Sequence, residues 1–147
     1  MCTEVRKTCS CGENNIQFHL RDNIMTEEVI VSLYCPNCST DITVDGDAML
    51  CDRNWIIEYD MELAQFLAAA KLQMQPDMVN PSFLFDAGYA TWLEMYPGEK
   101  NDILDERKEI MGLAKTDPKK YLETINSWNI ARVRQLKADG WRKAQFA

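Results

Sequence analysis

Four cysteines fall in two short turns, Cys9-Ser10-Cys11-Gly12 and Cys35-Pro36-Asn37-Cys38, with 23 residues between Cys11 and Cys35. Thiolates one or two residues apart on a tight turn converge, and two such turns supply the four tetrahedral ligands that a zinc ion takes. Gly12 permits the positive backbone angle such a turn needs, and Pro36 fixes the approach to the second turn. Four thiolates close the coordination shell. No position remains for an activated water, so Zn2+ is expected here as a structural ion rather than a catalytic one. The other reading of the same residues is a set of reduced, buried cysteines that happen to be paired.

In these two turns the chain resembles the zinc ribbons, a broad class in which two cysteine-bearing turns hold zinc beside a small antiparallel sheet. The resemblance covers about Lys7 to Tyr59. The second turn matches the Cys-x-x-Cys pattern, whereas the first has one intervening residue instead of two. Iron in a rubredoxin-like centre uses the same tetrathiolate geometry, but the Cys-x-Cys turn departs from that pattern and ranks iron below zinc. Cys-x-Cys followed by Cys-x-x-Cys also resembles the zinc switch of the redox-regulated zinc chaperone. That likeness implies oxidation of Cys9 with Cys11 and Cys35 with Cys38, with release of zinc. That family carries its switch at the C-terminal end and with a longer spacer, so the match is one of chemistry.

Cys2 and Cys51 are left over. Cys51, in Met49-Leu50-Cys51-Asp52, is expected to be a small buried hydrophobe. Either could replace a ligand if one of the four is misplaced. His19 is the only histidine, and alternation puts it with Gln17 and Arg21, away from the apolar face. No Ser or Cys motif of nucleophilic catalysis points to it. Asp41, Thr43, Asp45, Gly46 and Asp52 partly imitate a calcium loop, but the twelfth position is Asp where Glu is usual and the flanks read as strand, so an acidic turn at Asp45-Gly46 is expected. Phosphate-binding glycine motifs and the His-Glu patterns of zinc hydrolases are missing.

The whole chain bounds these readings. Its 147 residues are 46% hydrophobic and 27% charged, the balance of a globular protein. No apolar run approaches the roughly 18 residues that cross a bilayer, and Met1 to Lys7 lacks the apolar stretch of a secretory signal, so a cytoplasmic location without membrane attachment is expected. Thiols stay reduced there, which favours metal ligands or redox groups over disulfides. The net charge of −7 argues against broad nucleic-acid binding, yet seven Lys or Arg against three acids from Thr116 onward make the C-terminal end basic.

The elements that must carry the turns follow from periodicity. Ile16, Phe18 and Leu20 alternate with polar residues, as do Val29, Val31 and Leu33 with their neighbours, which predicts a hairpin through Asp22 to Glu28. Ile42 to Val44 and Trp55 to Tyr59 could add strands. After Asp60 the period becomes helical. Leu63, Phe66, Leu67, Ala70 and Met74 outline a first helix ending at Pro76, and Asn80-Pro81 caps a second that runs to about Tyr96. A third is expected over Asp102 to Lys115, and Asp117-Pro118 opens a fourth that Gly140 ends. Its two faces read Tyr121, Ile125, Trp128, Arg132 and Leu122, Asn129, Val133, Leu136. The expected class is therefore α+β, with a zinc-ribbon-like β domain over 1–59 and an α-helical region of about four helices over 60–147. The helices could close a bundle or wrap around the strands.

The aromatic residues Trp92, Trp128, Trp141, Phe83, Phe85, Tyr89 and Tyr96 could line a ligand groove, although helical spacing favours core. Trp141 with Arg142, Lys143 and Phe146 forms a basic, aromatic tail suited to an acidic or nucleic-acid partner, or simply solvated. Without a catalytic set, the leading expectation is a non-enzymatic zinc-binding adaptor or accessory subunit with a protein partner. A zinc-thiolate redox sensor and a nucleic-acid-binding zinc-ribbon protein are the alternatives.

Overall fold

Val5 and Lys7 alternate with exposed neighbours in Thr3–Thr8, which forms the first strand (β1). It pairs antiparallel with Asn15–Leu20 (β2), Thr3 opposite Leu20 and Thr8 opposite Asn15. The computed structural model describes residues 2–146, and its class is α+β. Ile30–Tyr34 (β3), Met49–Asp52 (β4) and Trp55–Tyr59 (β5) make a second antiparallel sheet in the order β3-β5-β4. Arg53 and Asn54, with φ of 47° and 71°, form the two-residue turn between β4 and β5, where positive φ at both positions matches the strand twist.

The predicted hairpin between the Ile16 and Val29 segments does not form. Asp22 and Asn23 take positive φ, 55° and 56°, and the short helical turns around them carry the chain out of the first sheet and into the second. Ile42 to Val44 is not a strand. Met61–Leu72 (α1) begins at Asp60, whose carboxylate accepts from the Leu63 N–H at 3.1 Å. Its buried face is Ala64, Leu67 and Ala68, while Phe66, expected on that face, is 67% exposed. Asn80 caps Pro81–Asp86 (α2) as expected, but that helix stops well short of Tyr96. Gly88, at φ +86°, follows, and the chain enters Thr91–Trp92 (β6), which pairs with β2 opposite Phe18 and His19. Burial of Trp92 against Phe18 and Phe85, at centroid distances of 5.2 and 5.6 Å, outweighs the helical propensity of this stretch.

Two compact units result, Met1–Leu93 and Glu94–Ala147. The composition shift at 59/60 falls inside the first, because α1 and α2 bury their apolar residues in one core with Phe18, Leu33 and Ile57. The second unit holds Glu99–Asp102 (α3), Leu104–Thr116 (α4) and Pro118–Asp139 (α5). Asp117 caps α5 by accepting from the Lys120 N–H at 3.2 Å, and Gly140, at φ +91°, ends it. The face with Trp128 and Arg132 packs inward: Trp128 Nε1 donates to Glu106 on α4 at 2.9 Å, and the Arg132 guanidinium lies 5.7 Å from the Trp128 ring centre.

Arg132 also pairs with Glu99, whose second oxygen accepts from the Met95 N–H at 2.9 Å. Their side chains are 19% and 10% exposed, so removing one partner strands a largely desolvated charge. Glu99→Ala is expected to destabilise this unit by about 2 kcal/mol, below the range for fully buried pairs. Urea unfolding followed by the helical circular dichroism signal measures it, and an unchanged midpoint would show the pair to be neutral.

Candidate metal centre

Cys9 and Cys11 lie in the connection between β1 and β2. The Cys9 N–H donates to the Asn14 carbonyl at 2.7 Å and the Gly12 N–H to the Cys9 carbonyl at 2.8 Å, which curls the turn so that both thiols face the same way. Gly12 sits at φ +79°, the conformation expected of it. Cys35 follows β3 directly. Its carbonyl accepts from the Cys38 and Ser39 N–H groups at 3.0 and 2.8 Å, and the Ser39 hydroxyl closes on the Pro36 carbonyl at 3.2 Å. The two turns come from different sheets, and backbone N–H groups help join them: Ser10 N–H to the Leu33 carbonyl at 3.2 Å, and Cys35 N–H to Cys9 Sγ at 3.1 Å.

All four sulfurs of Cys9, Cys11, Cys35 and Cys38 lie within 4.8 Å of one another. Cys9 and Cys38 are 3.5 Å apart, and Cys11 and Cys35 are 3.9 Å apart. Tetrahedral metal–sulfur bonds of about 2.3 Å place sulfurs about 3.8 Å apart, so the donor set has the size of a tetrathiolate site. Each turn contributes one buried thiol, Cys9 or Cys35, and one nearer solvent, the exposed Cys11 or the half-buried Cys38. Among the described residues this is the one group of His, Cys, Asp or Glu placed to hold a metal.

Burial pushes the Cys9 thiol up, but the N–H groups of Cys11 and Cys35 and the neighbouring thiols donate to it and bring it down to about 6. The Ser10 hydroxyl favours the Cys38 thiolate, yet hydrogen bonding to Cys9, with burial and the other thiols, pushes Cys38 up to about 12. Hydrogen bonding within the cluster thus favours the thiolate at Cys9 and the thiol at Cys38. A depressed Cys9 stabilises the fold above the ordinary thiol value of 9.0, and this contribution is lost as pH falls toward 6. A raised Cys38 contributes below 9.0 and loses its contribution as pH rises toward 12. Stability of the metal-free protein is expected to rise from pH 6 to 9 and fall above it, as urea midpoints across that range will read. A flat profile would contradict the hydrogen-bonded thiolate.

The remaining candidates do not join the cluster. Cys2 is exposed. Cys51, expected to be buried, is exposed on β4 because Leu50 and Asp52 take the inward positions of that strand. His19 lies half-buried in β2, opposite Thr91. Asp45 accepts from the Asp47 N–H at 3.0 Å, forming the acidic turn, while Asp52 is buried and accepts from Trp92 Nε1 at 2.9 Å instead of facing a calcium loop. Trp141 stacks on Tyr96 at 5.0 Å and Ala144 is buried, so the tail is folded up to the exposed Phe146. The Asp52–Trp92 and Glu99–Arg132 pairs had no local sequence signal, since each joins residues far apart in the chain. Among the described residues no helix is long and apolar enough to cross a membrane. The chain matches no family model, no curated protein and no solved structure.

Proposed function

We propose that Cys9, Cys11, Cys35 and Cys38 hold one zinc ion as a structural tie, and that the chain is a non-enzymatic adaptor or accessory subunit working through protein contacts. The observation that carries the metal reading is four sulfurs at tetrathiolate spacing on two turns from separate sheets. Such an ion would join the two sheets of the first unit, in the manner of the zinc ribbons that these turns resemble. With four thiolates in place the ion has no site for substrate, which supports a structural role. Iron fits the same sulfurs and is the alternative metal. Elemental analysis of protein purified without added metal tests this: about one zinc per chain is expected, and a metal-free or iron-loaded protein would overturn it. The adaptor role is tested separately by pull-down from the native source, where a stoichiometric partner is expected and a chain that stays alone would end the reading.

A second reading, thiol redox sensing, is favoured by the exposure of Cys11 beside buried partners. Peroxide would oxidise two thiolates to one disulfide, itself being reduced to water, and the metal would leave. Cys9 and Cys38 lie 3.5 Å apart and Cys11 and Cys35 3.9 Å apart, across the turns, so disulfides there compete with the Cys9–Cys11 and Cys35–Cys38 pairs. Peptide mapping after mild peroxide would identify the pairs formed, and a site that keeps its metal and its thiols would eliminate this reading.

A further inference from the structure

The second unit differs from the first in charge. Residues 1–93 carry five Lys or Arg against fourteen Asp or Glu, whereas residues 94–147 carry eleven against nine. Much of that excess lies on α5, whose inward face is the one with Trp128 and Arg132. Its other face carries exposed apolar and basic residues. Leu122, Asn129, Val133 and Lys137 recur at helical spacing, with Ile130 and Arg134 beside them. Leu122 is 64% and Ile130 53% exposed, and Asn129, Ile130, Val133, Arg134 and Lys137 line a groove of about 420 Å³. Among the described residues neither Arg134 nor Lys137 has an ion-pair partner.

We propose that this groove on α5 docks an acidic amphipathic helix of a partner protein. The inference rests on the adaptor reading and names its surface. A helix laid along α5 would set apolar residues at i, i+3 or i+4 and i+7 against Leu122, Ile130 and Val133, and its flanking carboxylates against Arg134 and Lys137. The apolar floor drives association, and the basic rim selects acidic partners and speeds encounter.

Two other occupants fit less well. A nucleic acid seeks aromatic faces for stacking as well as positive charge. Here Trp128 is held by Glu106 and Arg132, and Trp141 by Tyr96, while the groove itself is aliphatic. A second copy meeting the same face in two-fold fashion would oppose Arg134 and Lys137 with their own counterparts, a like-charge arrangement that disfavours pairing.

The metal-loaded full chain is titrated against a fluorescent synthetic helix with leucines at i, i+3, i+4 and i+7 and glutamates on its flanks. Fluorescence anisotropy is the readout. Saturable, salt-weakened binding is expected, together with a loss of about tenfold or more for Ile130→Asp and for Lys137→Glu. A peptide with lysine at the flanks should restore binding to the Lys137→Glu chain. Circular dichroism of each variant checks that α5 persists, which exposure of both side chains favours. Binding no tighter than to a scrambled peptide of equal charge, or unaffected by Ile130→Asp, overturns the proposal. So does preferential binding of a single-stranded RNA 12-mer, or self-association that Ile130→Asp abolishes. A native partner whose capture survives Ile130→Asp would overturn this surface and leave the adaptor reading standing, whereas no partner at all would remove the adaptor reading itself.

Discussion

Cys35→Ser is expected to abolish metal binding and to destabilise the unit Met1–Leu93 by several kcal/mol, while the helical signal of α4 and α5 persists. Cys35 is fully buried, its sulfur lies 3.9 Å from that of Cys11, and its N–H supports Cys9. A serine hydroxyl keeps the volume but does not become an anionic ligand at neutral pH, so the site loses a donor and its remaining thiolates lose their counter-charge. Structural zinc contributes about 10–16 kcal/mol to the folding of small metal-dependent peptides. Domains have about 5–15 kcal/mol of total stability, so losing even a third of the metal's contribution is severe here. The core around Phe18, Leu33 and Ile57 does not depend on the metal, which is why a weakened rather than wholly unfolded unit is expected. Thermal melting with and without chelator measures the effect. Cys11→Ser, at an exposed position, should lose metal affinity with less loss of the apo fold. Equal melting of the chelated and untreated wild type would show that no ion ties the sheets.

The two cysteine turns were legible because their information is local. Cys-x-Cys and Cys-x-x-Cys each build one turn, and Gly12 and Pro36 announce the backbone they need. The helical caps at Asn80 and Asp117 and the stop at Gly140 were legible for the same reason, whereas the cap at Asp60 was not singled out. Strand pairing is not local. Ile16 to Leu20 and Val29 to Leu33 both carry the right alternation, yet the alternation records only that one face is buried, and each segment found its partner elsewhere. The segment after α2 reads as helix by spacing, but two residues, Thr91 and Trp92, go to a sheet edge because the core needs the indole. Phe66 shows the reverse error, since an apolar residue on a plausible face need not face the core. The unit boundary follows from these cases: composition marks where helices begin, whereas burial decides which core they join.

Trp92→Ala should be the most damaging single change in the apolar core, at about 3–5 kcal/mol for the lost ring alone. Trp92 is fully buried, lies within 6.1 Å of Trp55 and closer to Phe18 and Phe85, and donates through Nε1 to Asp52. It thus joins β6 of one sheet to β4 of the other by a buried hydrogen bond. The two contributions can be separated. Trp92→Phe keeps most of the aromatic packing but leaves Asp52, 1% exposed, without the indole donor, so a loss of about 1–3 kcal/mol is expected from the bond with a smaller term for lost volume. Asp52→Asn can still accept through its amide oxygen and should be milder than Asp52→Ala. In a double-mutant cycle Trp92→Phe with Asp52→Asn should cost less than the sum of the two, because each change alone weakens the same bond. Urea unfolding followed by far-UV circular dichroism gives all four stabilities. Strict additivity would mean that the indole and the carboxylate stabilise the fold independently, and apolar packing would then account for the contribution of Trp92 at this point between the sheets.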